Sequence, residues 1–310
     1  MQFTLAHGTA NDFVVLPDPA DTFELTAELT RALADRRRGL GADGVIRIGS
    51  GRSLARSADA TDASGRGQVP AAQVAMDHRN ADGSHAEMCG NGIRVVAKHA
   101  IDHGLATPDP HGVVHVATRA GTKAVRVMAQ HPDGTVERVA VDMGRPVLEP
   151  HAVPAEVDDA EALLHRLELP SAPAGHDQLD VALVSMGNPH AVVVVDDVVA
   201  APVTRVGPVV ETHRRFPSKA NVGFAQVVDR TAIRLRVWER GVGETAACGT
   251  GACAAVVALQ RLGLVDAQVA VQLPGGSLTI EHEADGPVTM TGPAVEVAHG
   301  RLDAAWLNAV

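Results

Sequence analysis

The chain has 310 residues, 45% of them apolar and 21% charged, with a formal net charge of −10. That length carries a prior of two domains of about equal size. It contains no run of about 18 apolar residues that could span a bilayer, and the negative charge disfavours nucleic acid as a partner. Aromatics are 2% with no tyrosine, too few for base-stacking platforms, and three cysteines without C-x-x-C spacing argue against a disulfide framework or a zinc site.

The first residues, MQFTLAHGTANDF, have neither a basic start nor a long apolar stretch, so a secretory signal is not expected and a cytoplasmic location is. Residues 23–38 carry apolar positions at helical spacing, which predicts an amphipathic helix closed by Gly39. Arg52 to Gln73 is rich in Ala, Ser, Gly and Asp without a period and reads as a surface loop. Val74–Arg79, Gly112–Thr118, Ala124–Ala129 and Glu137–Met143 read as short strands, and a domain boundary is expected near Gly144–Pro150. Beyond it come a helical candidate at Asp158–Leu167 and strands at Leu183–Ser185 and Ala191–Val195. Ile233–Trp238 alternates with period two, breaks at Glu239-Arg240-Gly241, and yields to an Ala/Val-rich helix over Gly251–Leu262.

That strand, glycine turn and buried helix has an earlier copy in Val74–Arg79, Asp82-Gly83 and Gly92–His103. Aligning the two copies sets Cys89-Gly90-Asn91-Gly92 over Cys248-Gly249-Thr250-Gly251. Asn80 and Glu239 then stand at the same offset before each cysteine. A repeat at half the chain length predicts two similar domains facing one another, not a solenoid, each giving one cysteine to the cleft. A cysteine just before a glycine turn that opens a helix feels unpaired N–H groups and the positive end of the helix dipole, which favour its thiolate. The glycines let backbone N–H groups approach a bound carboxylate. One thiolate and one thiol on opposite faces of an α-carbon meet the requirement for inverting a stereocentre, and fixed N–H donors in a dry cleft would stabilise the carbanion. A single C-G-x-G would more often be a packed thiol; two at matching offsets are not. Cys253, inside the second helix, reads as an inert core residue.

NADGSHAEMCGNG (Asn80–Gly92) and ERGVGETAACGTGA (Glu239–Ala252) resemble the diaminopimelate epimerase family, as do NDF (Asn11–Phe13), GLGAD (Gly39–Asp43), SMGNPH (Ser185–His190) and NVGF (Asn221–Phe224). Proline racemases and phenazine-type isomerases share that fold, but the former resemble MCGHG where Asn91 stands and the latter lack the cysteine pair. The resemblance implies an α/β fold of two pseudo-symmetric domains, each a curved mixed sheet wrapped around a central helix. Residues 1–144 with 294–310 would form one domain and 145–293 the other, Gly292–Asp303 being the strand that returns. It further implies interconversion of LL- and meso-diaminopimelate in lysine and peptidoglycan precursor synthesis, by a homodimer using no pyridoxal phosphate, metal or nucleotide. Carried over by motif, Cys89 and Cys248 are the acid/base pair. Asn11, Asn80, Asn188, Asn221 and Arg240 grip the distal amino and carboxylate groups, Gly90-Asn91 and Gly249-Thr250 hold the reacting carboxylate, and His190 and Glu239 adjust the thiols, Glu239 also touching substrate. One departure is Gly44, where many members carry Gln.

Taken singly, the asparagines are ordinary turn residues, His190 an ordinary strand histidine, and Glu239-Arg240 a surface turn pair. Gly39–Gly44 spells G-x-G-x-x-G but follows a helix, where a dinucleotide fingerprint must follow a strand. Gly241–Ala246 follows a strand, yet Glu244 would sit where phosphate must bind. His99 and His103, four apart in a last helical turn, are ordinary there and no metal is expected. Two other functions compete with the epimerase: a nucleotide-dependent oxidoreductase, and a redox switch in which Cys89 and Cys248 form a disulfide.

Overall fold

The structure is a computed structural model that describes every residue except 53, 55–70, 87, 171 and 174. Most of the expected 52–73 loop therefore lies outside the described residues. The chain divides into two compact units, Met1–Asp142 with Thr291–Val310, and Met143–Met290.

The first unit opens with β1 (Gln2–Gly8), β2 (Asn11–Pro17), α1 (Ala27–Ala34), β3 (Gly44–Ser50), β4 (Val74–Asn80), α2 (Gly90–Asp102), β5 (Val113–Thr118), β6 (Gly121–Gln130) and β7 (Val136–Gly144). Its strands pair in sequence: β1–β2 antiparallel, β2–β3 parallel, β3–β4 antiparallel, β4–β5 parallel, β5–β6 and β6–β7 antiparallel. The sheet curves around α2, which packs on β1 to β5. Every residue of α2 from Gly90 to Ala100 is buried, the condition of a helix enclosed on all sides. Its polar residues are accordingly paired; Lys98, for example, donates to Asp102 at 2.7 Å and to the Val136 carbonyl at 2.6 Å.

The expected helix over 23–38 is confined to α1. Thr26 caps its start, its hydroxyl accepting from the Leu29 N–H at 3.1 Å. The Asp35 carboxylate accepts from the N–H groups of Arg37 and Arg38, diverting the backbone from the helix four residues before Gly39.

The second unit holds β8 (His165–Glu168), β9 (Gln178–Ser185), β10 (Pro189–Val194), α3 (Val203–Glu211), β11 (Asn221–Asp229), β12 (Ala232–Glu239), β13 (Gly243–Thr245), α4 (Gly249–Arg261), β14 (Gln268–Leu273) and β15 (Gly276–His282). Here α4 is the central helix, packed on β9 to β12 and β15. Its Gly, Ala, Cys and Val side chains are buried on every face. The helix expected at Asp158–Leu167 does not form. His165 to Glu168 alternate buried and exposed and pair antiparallel with β9, so the period-two pattern outweighs the helical propensity of the acidic residues before it. The sequence reading also missed α3, which tolerates Pro208 within it.

The chain ends with β16 (Val288–Pro293), β17 (Val295–Arg301) and α5 (Ala304–Leu307). β17 pairs antiparallel with β1 and also packs on α2.

The two sheets repeat one plan. In the second unit β9–β10 is antiparallel, β10–β11 parallel, β11–β12 antiparallel, β12–β14 parallel and β14–β15 antiparallel, matching β1 to β6 pair for pair. Register fixes which residues correspond. Phe13 faces Gly44 across β2–β3, and His190 faces Asn221 across β10–β11. Asn188 is therefore the counterpart of Asn11, and Asn221 that of Gly44.

Candidate active site

Each cysteine is the N-cap of its unit's central helix, in nearly the same backbone conformation: φ −133°, ψ 117° at Cys89 and φ −121°, ψ 109° at Cys248. Cys89 Sγ accepts from the Gly92 N–H and Cys248 Sγ from the Gly251 N–H, both at 3.4 Å. Each sulfur thus occupies the place that a capping oxygen fills in most helices. Glycine is needed three residues on because the sheet presses close. A Cβ at Gly92 would lie 3.0 Å from Ile46 Cδ1 and from Met76 Cε, and one at Gly251 would lie 3.1 Å from Val237 Cγ2. An α-helix supplies no internal acceptor for the N–H groups of its first turn, so Gly90-Asn91 and Gly249-Thr250 open a helix end suited to an anion.

Around Cys89 the first unit builds an amide network. The thiol points to Asn11 Oδ1 at 3.8 Å, and Asn91 Nδ2 donates to the same oxygen at 3.2 Å. Asn11 Nδ2 donates to Asp43 at 2.9 Å, while Arg36 binds both Asp12 and Asp43. The NDF and GLGAD segments are therefore one structure, the second holding the first in place. Behind Asn91 the fully buried Arg94 donates to Asn91 Oδ1 at 2.5 Å, to the Thr9 hydroxyl at 2.9 Å and to the Pro293 carbonyl at 3.0 Å. Thr9 and Ala10 form the β1–β2 turn with φ of 53° and 62°, the left-handed region that a two-residue hairpin requires and that glycine usually fills. Asn80 closes the turn after β4, its Nδ2 donating to Ser84 Oγ at 3.0 Å, and does not join the Cys89 network.

Around Cys248 the second unit forms a chain of hydrogen bonds. His190 Nε2 lies 3.0 Å from Asn188 Oδ1, Asn188 Nδ2 donates to Thr250 Oγ1 at 3.5 Å, and Thr250 Oγ1 lies 3.5 Å from Cys248 Sγ. This order places the proton of the neutral imidazole on Nε2. Asn188 meets Thr250 as its counterpart Asn11 meets Asn91, so the contact is conserved between the two halves. Burial, with the Arg240 charge, holds the His190 pKa down to about 3. Burial pushes the Cys248 thiol well above its ordinary range; the Glu239 carboxylate beside it pushes further, against the opposing hydrogen bonds from Thr250 and Gly251. The expectation that the helix end favours the thiolate thus fails at Cys248, because desolvation and a neighbouring anion outweigh the dipole.

Asn221 and Arg240 come together through backbone. Asn221 Nδ2 donates to the Pro189 carbonyl at 3.0 Å, and its Oδ1 accepts from the Arg240 N–H at 2.9 Å. The Glu239–Gly241 turn is further held by Glu211, which accepts from the Gly241 N–H at 3.0 Å and from Trp238 Nε1 at 2.7 Å. Sequence reasoning missed Glu211, Arg94, Thr9 and Asp43 as supports. Only Asp43 carried a signal, as the last residue of GLGAD. Cys253 is fully buried within α4.

At Gly44 the space that a side chain would take is filled. A Cβ there would stand 2.7 Å from His78 Nε2 and 2.9 Å from the Arg79 carbonyl oxygen. The His78 ring lies edge-on to Phe13, and neither ring nitrogen has a hydrogen-bond partner. Burial lowers the His78 pKa to about 4. A bulky residue at 78 and glycine at 44 are two sides of one packing solution.

The family profile described as Diaminopimelate epimerase matches residues 3–149 and 182–297, which include both C-G-x-G segments. The chain belongs to the diaminopimelate epimerase family. It is an enzyme of the epimerase class by that membership. The diaminopimelate epimerase of Acidovorax ebreus is 44% identical over 98% of both chains, and that of Laribacter hongkongensis is 45% identical over 97% of this chain and 99% of its own. Among solved structures, a hydroxyproline epimerase from Agrobacterium vitis superposes with a TM-score of 0.64 at 16% identity, over 97% of this chain and 91% of that one. The paired curved sheets around central helices are thus the fold of this wider group. No helix among the described residues is long and apolar enough to cross a membrane.

Proposed function

We propose that the protein interconverts LL- and meso-diaminopimelate by removing the α-proton with one cysteine thiolate and supplying a different proton from the other cysteine thiol, with no cofactor. The observation that carries this reading is the duplicated N-cap: two cysteines at equivalent positions, each with its sulfur on the N–H of the glycine three residues on. A thiolate from one unit removes the α-proton on one face while the thiol from the other delivers a proton to the opposite face. The proton count closes within a single turnover, and the starting protonation states are exchanged. The carbanion formed beside the carboxylate is stabilised by N–H donors at the two helix starts, Gly90-Asn91 and Gly249-Thr250. Asn11, Asn80, Asn188, Asn221 and Arg240 bind the distal amino-acid end. The engagement of Asn80, Asn221 and Arg240 in their own turns leaves Asn11 and Asn188, the equivalent pair beside the two sulfur caps, as the better-supported contacts. Glu239 and His190 set the proton affinity on the Cys248 side. By the same family membership the enzyme acts as a cytoplasmic homodimer supplying lysine and peptidoglycan precursors.

The test is solvent deuterium incorporation into LL-diaminopimelate by reduced, chelator-treated protein. One deuterium at one α-carbon with meso product is expected, abolished by Cys89→Ala or Cys248→Ala and retained by Cys253→Ala. Full turnover in either of the first two variants would refute the two-thiol scheme. Because the scheme needs one thiol and one thiolate, the rate should be bell-shaped in pH; a rate that stays flat into strong alkali contradicts it.

A further inference from the structure

Away from both thiols, three imidazoles of the first unit converge on one carboxylate. His99 Nδ1 lies 2.6 Å from Glu296 Oε1, His103 Nε2 lies 3.1 Å from Glu296 Oε2, and His299 Nε2 lies 3.4 Å from that same oxygen. Two of these residues stack at the end of α2: His99 in its last turn and His103, its C-cap four residues on, have ring centroids 4.2 Å apart. The other two should not share a side of their strand, because residues three apart on β17 point to opposite faces. A bulge changes this. Leu5 faces Ala298 while Ala6 faces Glu296, so Val297 is an extra residue in β17, and the slip turns Glu296 and His299 to one side. The Thr4 hydroxyl lies 3.0 Å from His299 Nδ1 and fixes the ring with Nε2 toward the carboxylate, as an outer partner does for a metal-binding histidine.

We propose that His99, His103, Glu296 and His299 form a binding site for a divalent transition-metal ion of the zinc type. The ligand atoms of His99, His103 and Glu296 all lie within 4.8 Å of one another. Zinc with bonds of about 2.0–2.1 Å places tetrahedral ligands roughly 3.4 Å apart. Closing these distances to coordination falls on His103 and on His299, which joins the group through Glu296 Oε2 and whose side chain, like that of His103, is exposed enough to turn (55% and 41%). Imidazole and carboxylate donors select zinc, nickel or copper over magnesium or calcium, which take oxygen alone. Three rings thus crowd a single carboxylate, His103 and His299 on Glu296 Oε2 and the buried His99 on Oε1. The ion would clip the C-terminal strand to the last turn of the helix whose first turn carries Cys89, so it would stabilise this unit without entering the proton transfer.

The experiment uses full-length protein, reduced and stripped by a chelator, titrated with zinc chloride against a chromophoric chelator and, in parallel, with cobalt(II). One zinc per chain and a higher Tm are expected, with the visible bands of four-coordinate cobalt and no sulfur-to-cobalt charge transfer. His103→Ala and His299→Ala should each weaken binding by at least the 10–100-fold that loss of an outer partner already costs, while their metal-free Tm stays that of the parent. Cys89→Ala and Cys248→Ala should bind zinc unchanged. Failure of the parent protein to take up zinc stoichiometrically would overturn the site. So would zinc that is lost in the cysteine variants but kept in His103→Ala combined with His299→Ala.

Discussion

Replacing His190 by Gln should remove a defined share of the acid lability of the second unit. His190 is 1% exposed, and its pKa falls from 6.5 to about 3 on folding, first through burial and then through Arg240. A depressed folded-state pKa contributes stability that is present above pH 6.5 and lost as pH falls toward 3, because the unfolded chain takes the proton first. Over that window the unfolded state binds one more proton per such histidine, a slope of about 1.4 kcal/mol per pH unit. From pH 6.5 to about 5, above the range where carboxylates titrate, the loss is about 2 kcal/mol. Glutamine keeps an N–H donor for Asn188 Oδ1 and has no proton to gain. Urea unfolding of both proteins at several pH values, read by Trp238 fluorescence in a Trp306→Phe background, gives the two slopes. The parent slope should exceed that of His190→Gln by about 1.4 kcal/mol per pH unit. Parallel plots would show that His190 is not held neutral by burial.

Glu239→Gln removes the anion beside Cys248, so the thiol pKa should fall and iodoacetamide should alkylate Cys248 faster at fixed alkaline pH, as read by peptide mass mapping; equal rates would deny the contact its electrostatic role. Gly44→Gln should cost about 1–3 kcal/mol through overpacking against His78, and a double-mutant cycle with His78→Ala should recover part of it, whereas additive effects would separate the two residues. Ala10→Gly should raise stability by about 1 kcal/mol, since it relieves a left-handed alanine; a measured loss would mean that the added freedom of the unfolded chain dominates there.

The parts of this molecule that were legible in its sequence are those set by neighbours along the chain. The duplicated C-G-x-G could be read because an N-cap and its glycine depend on four consecutive residues. The strands around each copy could be read from period two. What decided the rest was register. Nothing near Asn11 indicates that Asp43 holds it or that Asn91 donates to it, and Asn188 becomes its counterpart only once β2–β3 and β10–β11 are aligned. The helix over 23–38 was overdrawn because Thr26 and Asp35 act as caps through side-chain bonds that an apolar period does not reveal. The error at 158–167 came from reading propensity before alternation. His99 and His103 looked ordinary because Glu296 and His299 lie far along the chain and reach one side of β17 only by a bulge.

Asn80 and Glu239 stand at equivalent positions, nine residues before their cysteines, yet one is an amide and the other an anion. A site made from two identical halves would give both sulfurs the same hold on a proton, and the enzyme would rest in a mixture of states, many of them with both protonated or both bare. At Cys248 burial comes first and the Glu239 carboxylate adds to it, so a difference in charge at one duplicated position helps to break that tie. It costs the fold nothing in backbone geometry, so the two halves can remain near-copies in shape while differing in charge beside the sulfur.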